Sequence, residues 1–323
     1  MFAFVKPSAR PTAILTDARL VTSTSPVESS FLRSPLLLRF SPWLRRLPLA
    51  MFFAACVGAQ AQERYGLSAW VDDVKATRLE SGVALTYITV LGIKTWGWGE
   101  GNSFHVTPEG WFGADTLYGG ADKLGHAYVS FALTNLMFER IVREGRTPER
   151  AALSAALIGQ AIMFSVEIFD GLSRLGFSPQ DVMMNVAGAS LAYFRAVNPR
   201  LRDLVDYRLE YRNSGHIGFA PESDYSGQKY LLALKLGGFD GLRDTPLRFL
   251  ELQAGYYTRG FLPEERDLGL ERSRHAFIGV GVNLTELLLG RRSSQESTSR
   301  GYGRLLLEHV QIPFVAVQSA RGF

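Results

Sequence analysis

The sequence predicts an α+β fold, a compact apolar three-helix unit followed by antiparallel β-strands, and three observations lead to it. Residues 121–200 carry three long apolar segments with helix start and stop signals. Residues 201–323 switch to period-two alternation between polar, Gly-containing connections. The first 61 residues read as leader and stand outside the fold.

In the leader, Arg45-Arg46 form a basic start, Leu47 to Val57 an apolar stretch too short to span a bilayer, and Ala59-Gln60-Ala61 a cleavage signal with Gln62 as the new N-terminus. Residues 1–43, rich in Ser, Pro and Arg, fit no part of such a signal. An exported chain of the periplasm or outer membrane is expected. Cys56 is the single cysteine, so the mature chain forms no internal disulfide. Phe53-Ala54-Ala55-Cys56 loosely resembles a lipoprotein box, although Phe53 is an unusual opening; an ordinary signal-peptide cysteine is the favoured reading.

The leader also distorts the charge. The full chain has 35 Lys and Arg against 31 Asp and Glu, a net charge of +4. Lys6, Arg10, Arg19, Arg33, Arg39, Arg45 and Arg46 lie in the leader, against Asp17 and Glu28, so the remainder holds 28 bases and 29 acids. A nearly neutral mature chain lacks the basic excess that neutralises phosphates, and a nucleic-acid partner is excluded on that ground. Membrane or envelope components are the expected partners.

Residues 62–120 form an aromatic and Gly-rich segment with one apolar element, Val83 to Ile93. Trp96-Gly97-Trp98-Gly99 and Trp111 hold three of the five tryptophans, which suits either a membrane or ligand anchor or packing against the next unit. The first helix of the 121–200 unit is expected from about Asp122 to Arg143, the second from Pro148 to Asp170, and the third from Ser178-Pro179-Gln180-Asp181, a capped start, to Ala196. The second carries no charge from Ala151 to Val166, a marginal length for a bilayer. Small residues four apart, Ala151, Ala155 and Gly159, then Gly188 and Ala192, allow close helix approach.

In residues 201–323, strands are expected at Tyr230–Gly238, Leu247–Thr258, Ala276–Leu288 and Leu305–Val317. Their length of about ten residues suits transmembrane strands, part of an outer-membrane barrel, or a soluble sheet packing one face on the helices. Four strands do not close a barrel alone.

The helices carry a polar stripe. Asp122, His126, Ser130 and Thr134 follow one another at four-residue steps; Gln160, Glu167 and Asp170 share a quarter turn; Asp181 and Asn185 lie one turn apart. Antiparallel packing brings Asp122, Lys123, His126, Glu167, Asp170, Asp181 and Asn185 to one end, with Lys123 and Arg174 as counter-charges. Buried charges need partners or a cation. Three readings follow: a hydrogen-bonded structural network, a metal site using His126, Glu167, Asp170 and Asp181, or acid–base chemistry by His126 and Glu167 on an envelope lipid or glycan. No His-x-x-x-His pair, Gly-x-Ser-x-Gly elbow, phosphate loop or Cys pair strengthens an enzymatic reading, and the cofactor is left open. A non-enzymatic structural or ligand-binding role leads, with a metal-dependent or acid–base enzyme as the rival. His105, His216, His275 and His309 lie outside the stripe and are expected at the surface.

The same residues carry a resemblance. Asp122-Lys123-x-x-His126, Glu167-x-x-Asp170-Gly171, and Gly176-Phe177-Ser178-x-x-Asp181-x-x-x-Asn185-x-x-Gly188 resemble the YfiM-like family of predicted periplasmic lipoproteins, whose function is uncharacterised. They are also similar, less closely, to the VanZ-like membrane family, which usually has Gln where Asp170 stands. The resemblance spans roughly residues 80–200 and implies an envelope location and a shared polar cluster, but no reaction.

Overall fold

The computed structural model describes residues 66, 68–293 and 296–323. The leader, Cys56 and the start at Gln62 lie outside the described residues.

The apolar run of the N-terminal segment is helical: α1 spans Arg78–Leu91 and continues as a π-helical turn, Gly92–Trp96. Gly97 ends it at φ 76°, a left-handed conformation that glycine adopts without a Cβ clash. The three long helices follow as α2 (Ala121–Arg143), α3 (Pro148–Gly171) and α4 (Pro179–Val197). Their ends follow local chemistry. The Thr147 side chain caps α3 ahead of Pro148, and the Ser178 side chain accepts from the Asp181 backbone N–H at the start of α4. Arg140 and Arg143 lie in the last turn of α2, where a cation complements the helix dipole.

The small residues do what their spacing suggests. A Cβ on Gly188 would lie 1.9 Å from the Ala127 carbonyl oxygen, so α2 and α4 touch backbone to side-chain space there. Ala151, Ala152 and Ala155 of α3 pack with Met137, Phe138 and Ile141 of α2 in one core. Helix α3 is long and apolar enough to cross a membrane by length and composition, but half of that window is buried inside the fold.

After the short α5 (Pro199–Leu204) come β1 (Val205–Tyr211), β2 (Gln228–Lys235), β3 (Leu250–Arg259), α6 (Pro263–Asp267), β4 (Ser273–Val282), α7 (Leu284–Leu289), α8 (Thr298–His309), β5 (Val310–Gln311) and β6 (Ala316–Gly322). They form one six-stranded sheet in the order β5-β1-β2-β3-β4-β6. All pairs are antiparallel except β1 with β5, so the sheet is mixed. It is an open sheet, not a barrel, which corrects the barrel alternative. Two of the expected strands also change. Ala276–Leu288 ends at Val282 because Asn283 caps α7 through its side chain. Leu305–Val317 divides among the end of α8, a helix capped at its start by Ser297, the two-residue β5, a turn and the start of β6. Strand β1 was not expected.

The sheet is strongly curled. β1 and β6 are four strand intervals apart, about 19 Å in a flat sheet. Yet Gln318 Nε2 of β6 lies 3.5 Å from Glu210 Oε2 of β1. The curl encloses a polar face: Asp206, Arg208, Lys235, Glu251, Gln253 and Gln311 are all buried there. Tyr207 and Tyr230, on the other face, pack with Ala127, Phe131 and Ala192 of the helices.

Candidate functional site

The start of α2, the end of α3 and the start of α4 meet at one end of the helical unit. Asp122, Lys123, His126, Glu167, Asp170, Asp181 and Asn185 are all there. Each of these except His126 is buried, and the His126 side chain is 20% exposed.

Lys123 is the hub of one half. Its Nζ lies 2.7 Å from Asp122 Oδ2 and 2.9 Å from Asp181 Oδ1, and it also pairs with Glu109. Burial favours losing the proton, but the three carboxylates outweigh it and hold the ammonium charged, well above the usual lysine range. Glu109 was not anticipated. It sits in a loop whose backbone is stitched to the segment after α3: His105 N–H donates to the Gly171 carbonyl, Thr107 N–H to Phe177, and Phe177 N–H to His105. Nothing in helical periodicity marks a loop acid, so the stripe could not reveal it.

His126 is the hub of the other half. Its Nδ1 lies 3.2 Å from Glu167 Oε1 and 3.3 Å from Asn185 Oδ1. Asn185 Oδ1 accepts from Ser130 Oγ at 3.0 Å, and Asn185 Nδ2 donates to Glu167 Oε1 at 3.4 Å. Both groups facing Nδ1 are acceptors, so Nδ1 carries the hydrogen in the neutral ring. Nε2 is then left with its lone pair, 3.8 Å from Asp181 Oδ2, beyond hydrogen-bond reach. The oxygen or nitrogen ligand atoms of His126, Glu167 and Asp181 lie within 4.8 Å of one another, as do those of Glu109, Asp122 and Asp181.

The remaining expected residues are placed as follows. Asp170 is held by the Trp98 indole, whose Nε1 donates to Oδ1 at 2.6 Å, and it stands outside both three-residue groups. Trp98 stacks on Phe169 at 4.9 Å, so the tryptophan motif packs on the helical unit. Arg174 is exposed and donates to the Thr95 carbonyl; it forms no ion pair with the cluster. Thr134 Oγ1 and Gln160 Oε1 are buried without a hydrogen-bond partner and do not join the site. Among the other histidines, His309 is a correction: it is buried, with its ring against Phe131, and burial pushes its pKa down from 6.5 to about 4. It sits at the end of a helix rather than in the strand expected there, which turns it inward.

Acids outnumber bases here, and the pKa shifts record it. Burial, with Asp181 and Asp170 nearby, drives Glu167 well above its ordinary value. Burial and Asp181 raise Glu109 from 4.5 to about 7 against the pull of Lys123. Burial raises Asp170 to about 6 despite the Trp98 bond. For Asp181 burial works the same way, but His126, Lys123 and the Ser178 hydroxyl outweigh it and hold the carboxyl below its usual range.

Residues 108–197 match a family described as predicted periplasmic lipoprotein, DUF2279. The match covers less than half of the chain, but it spans α2 to α4, Glu109 and every expected cluster residue. It supports an uncharacterised, exported periplasmic protein. No curated protein and no solved structure matches the chain.

Proposed function

We propose that this chain is a ligand-binding protein of the cell envelope whose ligand at the helical unit is a divalent cation, held by His126, Glu167 and Asp181 with Asn185 beside them. The observation that carries this reading is the convergence of three ligand-type side chains, with ligand atoms within 4.8 Å of one another, in a buried setting where acids exceed bases. A cation bound at Nδ1 would take the place of the Nδ1 hydrogen: ligands around a zinc-type ion at 2.0–2.1 Å lie about 3.4 Å apart, close to the Nδ1–Glu167 separation of 3.2 Å. A cation would oppose the burial and the neighbouring acids that raise Glu167 and Glu109. The donor set, one imidazole with carboxylates, suits zinc or manganese better than calcium. The finer affinity belongs to this proposal as well: Asp170, where the VanZ-like pattern usually has Gln, favours the YfiM-like pattern, and with it an envelope protein without an assigned reaction.

A second reading is favoured by the His126 geometry. A buried carboxylate orients the imidazole through Nδ1–H and leaves Nε2 free, the arrangement of a general base acting on an envelope lipid or glycan. The deciding experiment is calorimetric titration of the chelator-treated protein with Zn²⁺ and Mn²⁺, beside His126→Ala and Glu167→Gln. Stoichiometric binding lost in both variants supports the cation. Absence of binding by the wild type sinks it and moves effort to acid–base substrates.

A further inference from the structure

The sheet inverts the usual polarity of a soluble antiparallel sheet, which buries its apolar face and wets its polar one. Here the concave face is buried and largely polar, with Leu231, Ala233 and Phe277 set among its charges, while the convex face of β3 and β4 is largely apolar. Helices α2 and α4 cover the convex face mainly over β1 and β2, through Tyr207 and Tyr230, and α2 also reaches β3. Beyond them the register sets out two adjoining rows. Leu234, Leu252, Val280 and Val317 face one another across four strands, and Leu232, Ala254 and Ile278 form the next row, which ends on Ser319. Of these, Leu232, Leu252, Ile278, Val280 and Val317 are exposed, Ile278 at 69% and Val317 at 83%. A contiguous bare patch of large aliphatic side chains is not the scatter of single residues that any surface shows.

Two observations indicate what covers it. The surface is the outside of a curled sheet, so a second copy would meet it convex to convex and touch along a line, whereas fluid acyl chains conform to it. The next row along the strands is of different chemistry: Ala276 and Arg321 are paired there with Tyr256, whose hydroxyl donates to the Gly119 carbonyl and whose ring packs on Phe112. Phe323 lies 6.4 Å from Tyr256, and the Arg274 guanidinium sits 4.7 Å over the Phe323 ring. Aromatic and basic groups bordering an aliphatic band match the boundary between acyl chains and anionic headgroups.

We propose that the convex face of β3, β4 and β6 rests on a lipid bilayer, with the aliphatic rows among the acyl chains and the exposed Arg321 and Phe323 at the headgroups. The contact is peripheral, and it is independent of the cation reading. The test is flotation of the full chain carrying Cys56→Ala, which removes any lipid anchor, with vesicles of phosphatidylethanolamine and phosphatidylglycerol. The chain co-floats, and the triple variant Ile278→Ser, Val280→Ser, Val317→Ser loses at least tenfold of the bound fraction with unchanged circular dichroism and Tm. As a second readout, Val317→Cys in the same background, labelled with an environment-sensitive dye, shifts to the blue only when vesicles are added. Failure of the parent chain to float, or equal flotation of the triple variant, overturns the proposal. So does a dimer by light scattering that the triple variant renders monomeric, because a second copy then covers the face.

Discussion

Two of the buried charged clusters among the described residues are built on opposite terms. In the concave face of the sheet, Asp206 meets Arg208 at 2.6 Å, Lys235 at 2.7 Å and Arg195 at 2.8 Å; Arg208 reaches Glu251 at 2.8 Å, and Arg292 reaches Glu308 at 3.1 Å. Charges there are matched, and the cations overcome burial to hold Asp206 below the usual carboxylate range and Glu308 down to about 2; only Glu251 is raised by burial. At the end of the helical unit, five carboxyls share one lysine and one histidine, and Glu109, Glu167 and Asp170 are all raised. Matched charges serve the fold. An unmatched set is a strain that folding alone does not select, and that a ligand can relieve.

The largest expected effect lies in the matched cluster. Asp206→Ala leaves three buried cations without their shared partner and is expected to cost about 3–5 kcal/mol, or to prevent folding, by urea unfolding. Glu167→Gln removes an acid from the unmatched cluster and should cost under about 1 kcal/mol. Equal losses from the two substitutions would erase the distinction.

Next comes ligand linkage. Zn²⁺ or Mn²⁺ at a hundred times its Kd should stabilise the wild type by about 2.7 kcal/mol, read as a rise in Tm, and should leave His126→Ala unmoved. A rise retained in that variant would place the binding elsewhere.

The two regions should also differ in the sign of their pH dependence. The unfolded state protonates His309 below 6.5 while the folded state resists until about 4, so the matched region loses stability as pH falls through that window. His309→Phe should flatten that loss. Glu109 behaves oppositely: the folded state keeps its proton up to about 7 and the unfolded state only to 4.5, so stability falls as pH rises between them. The Tm of Glu109→Gln relative to wild type should therefore be higher at pH 8 than at pH 4.5. Trp98→Phe is expected to cost about 1–2 kcal/mol by urea unfolding for the lost charge-assisted bond to Asp170, well below the Asp206→Ala effect.

Much of the site was legible in the chain because a helix is a local structure. Asp122, His126, Glu167, Asp170, Asp181 and Asn185 repeat at helical spacing, and the caps at Thr147 and Ser178 are set by neighbours three residues away. By themselves, those residues determined three helices, their boundaries and the end at which the polar groups gather. Only the tertiary structure placed Glu109 against Lys123 and Trp98 against Asp170, because both arrive on loops held by backbone hydrogen bonds that carry no side-chain signature. The segment Leu305-Leu306-Leu307 reads equally as strand or helix in isolation; the Ser297 cap and the pairing of Glu308 with Arg195 and Arg292 decide for helix. Alternation in β3 and β4 determined that the sheet has one apolar and one polar face. Which face turns inward depends on the curl that brings Gln318 to Glu210, and curvature arises from contacts across the whole sheet rather than along any one strand.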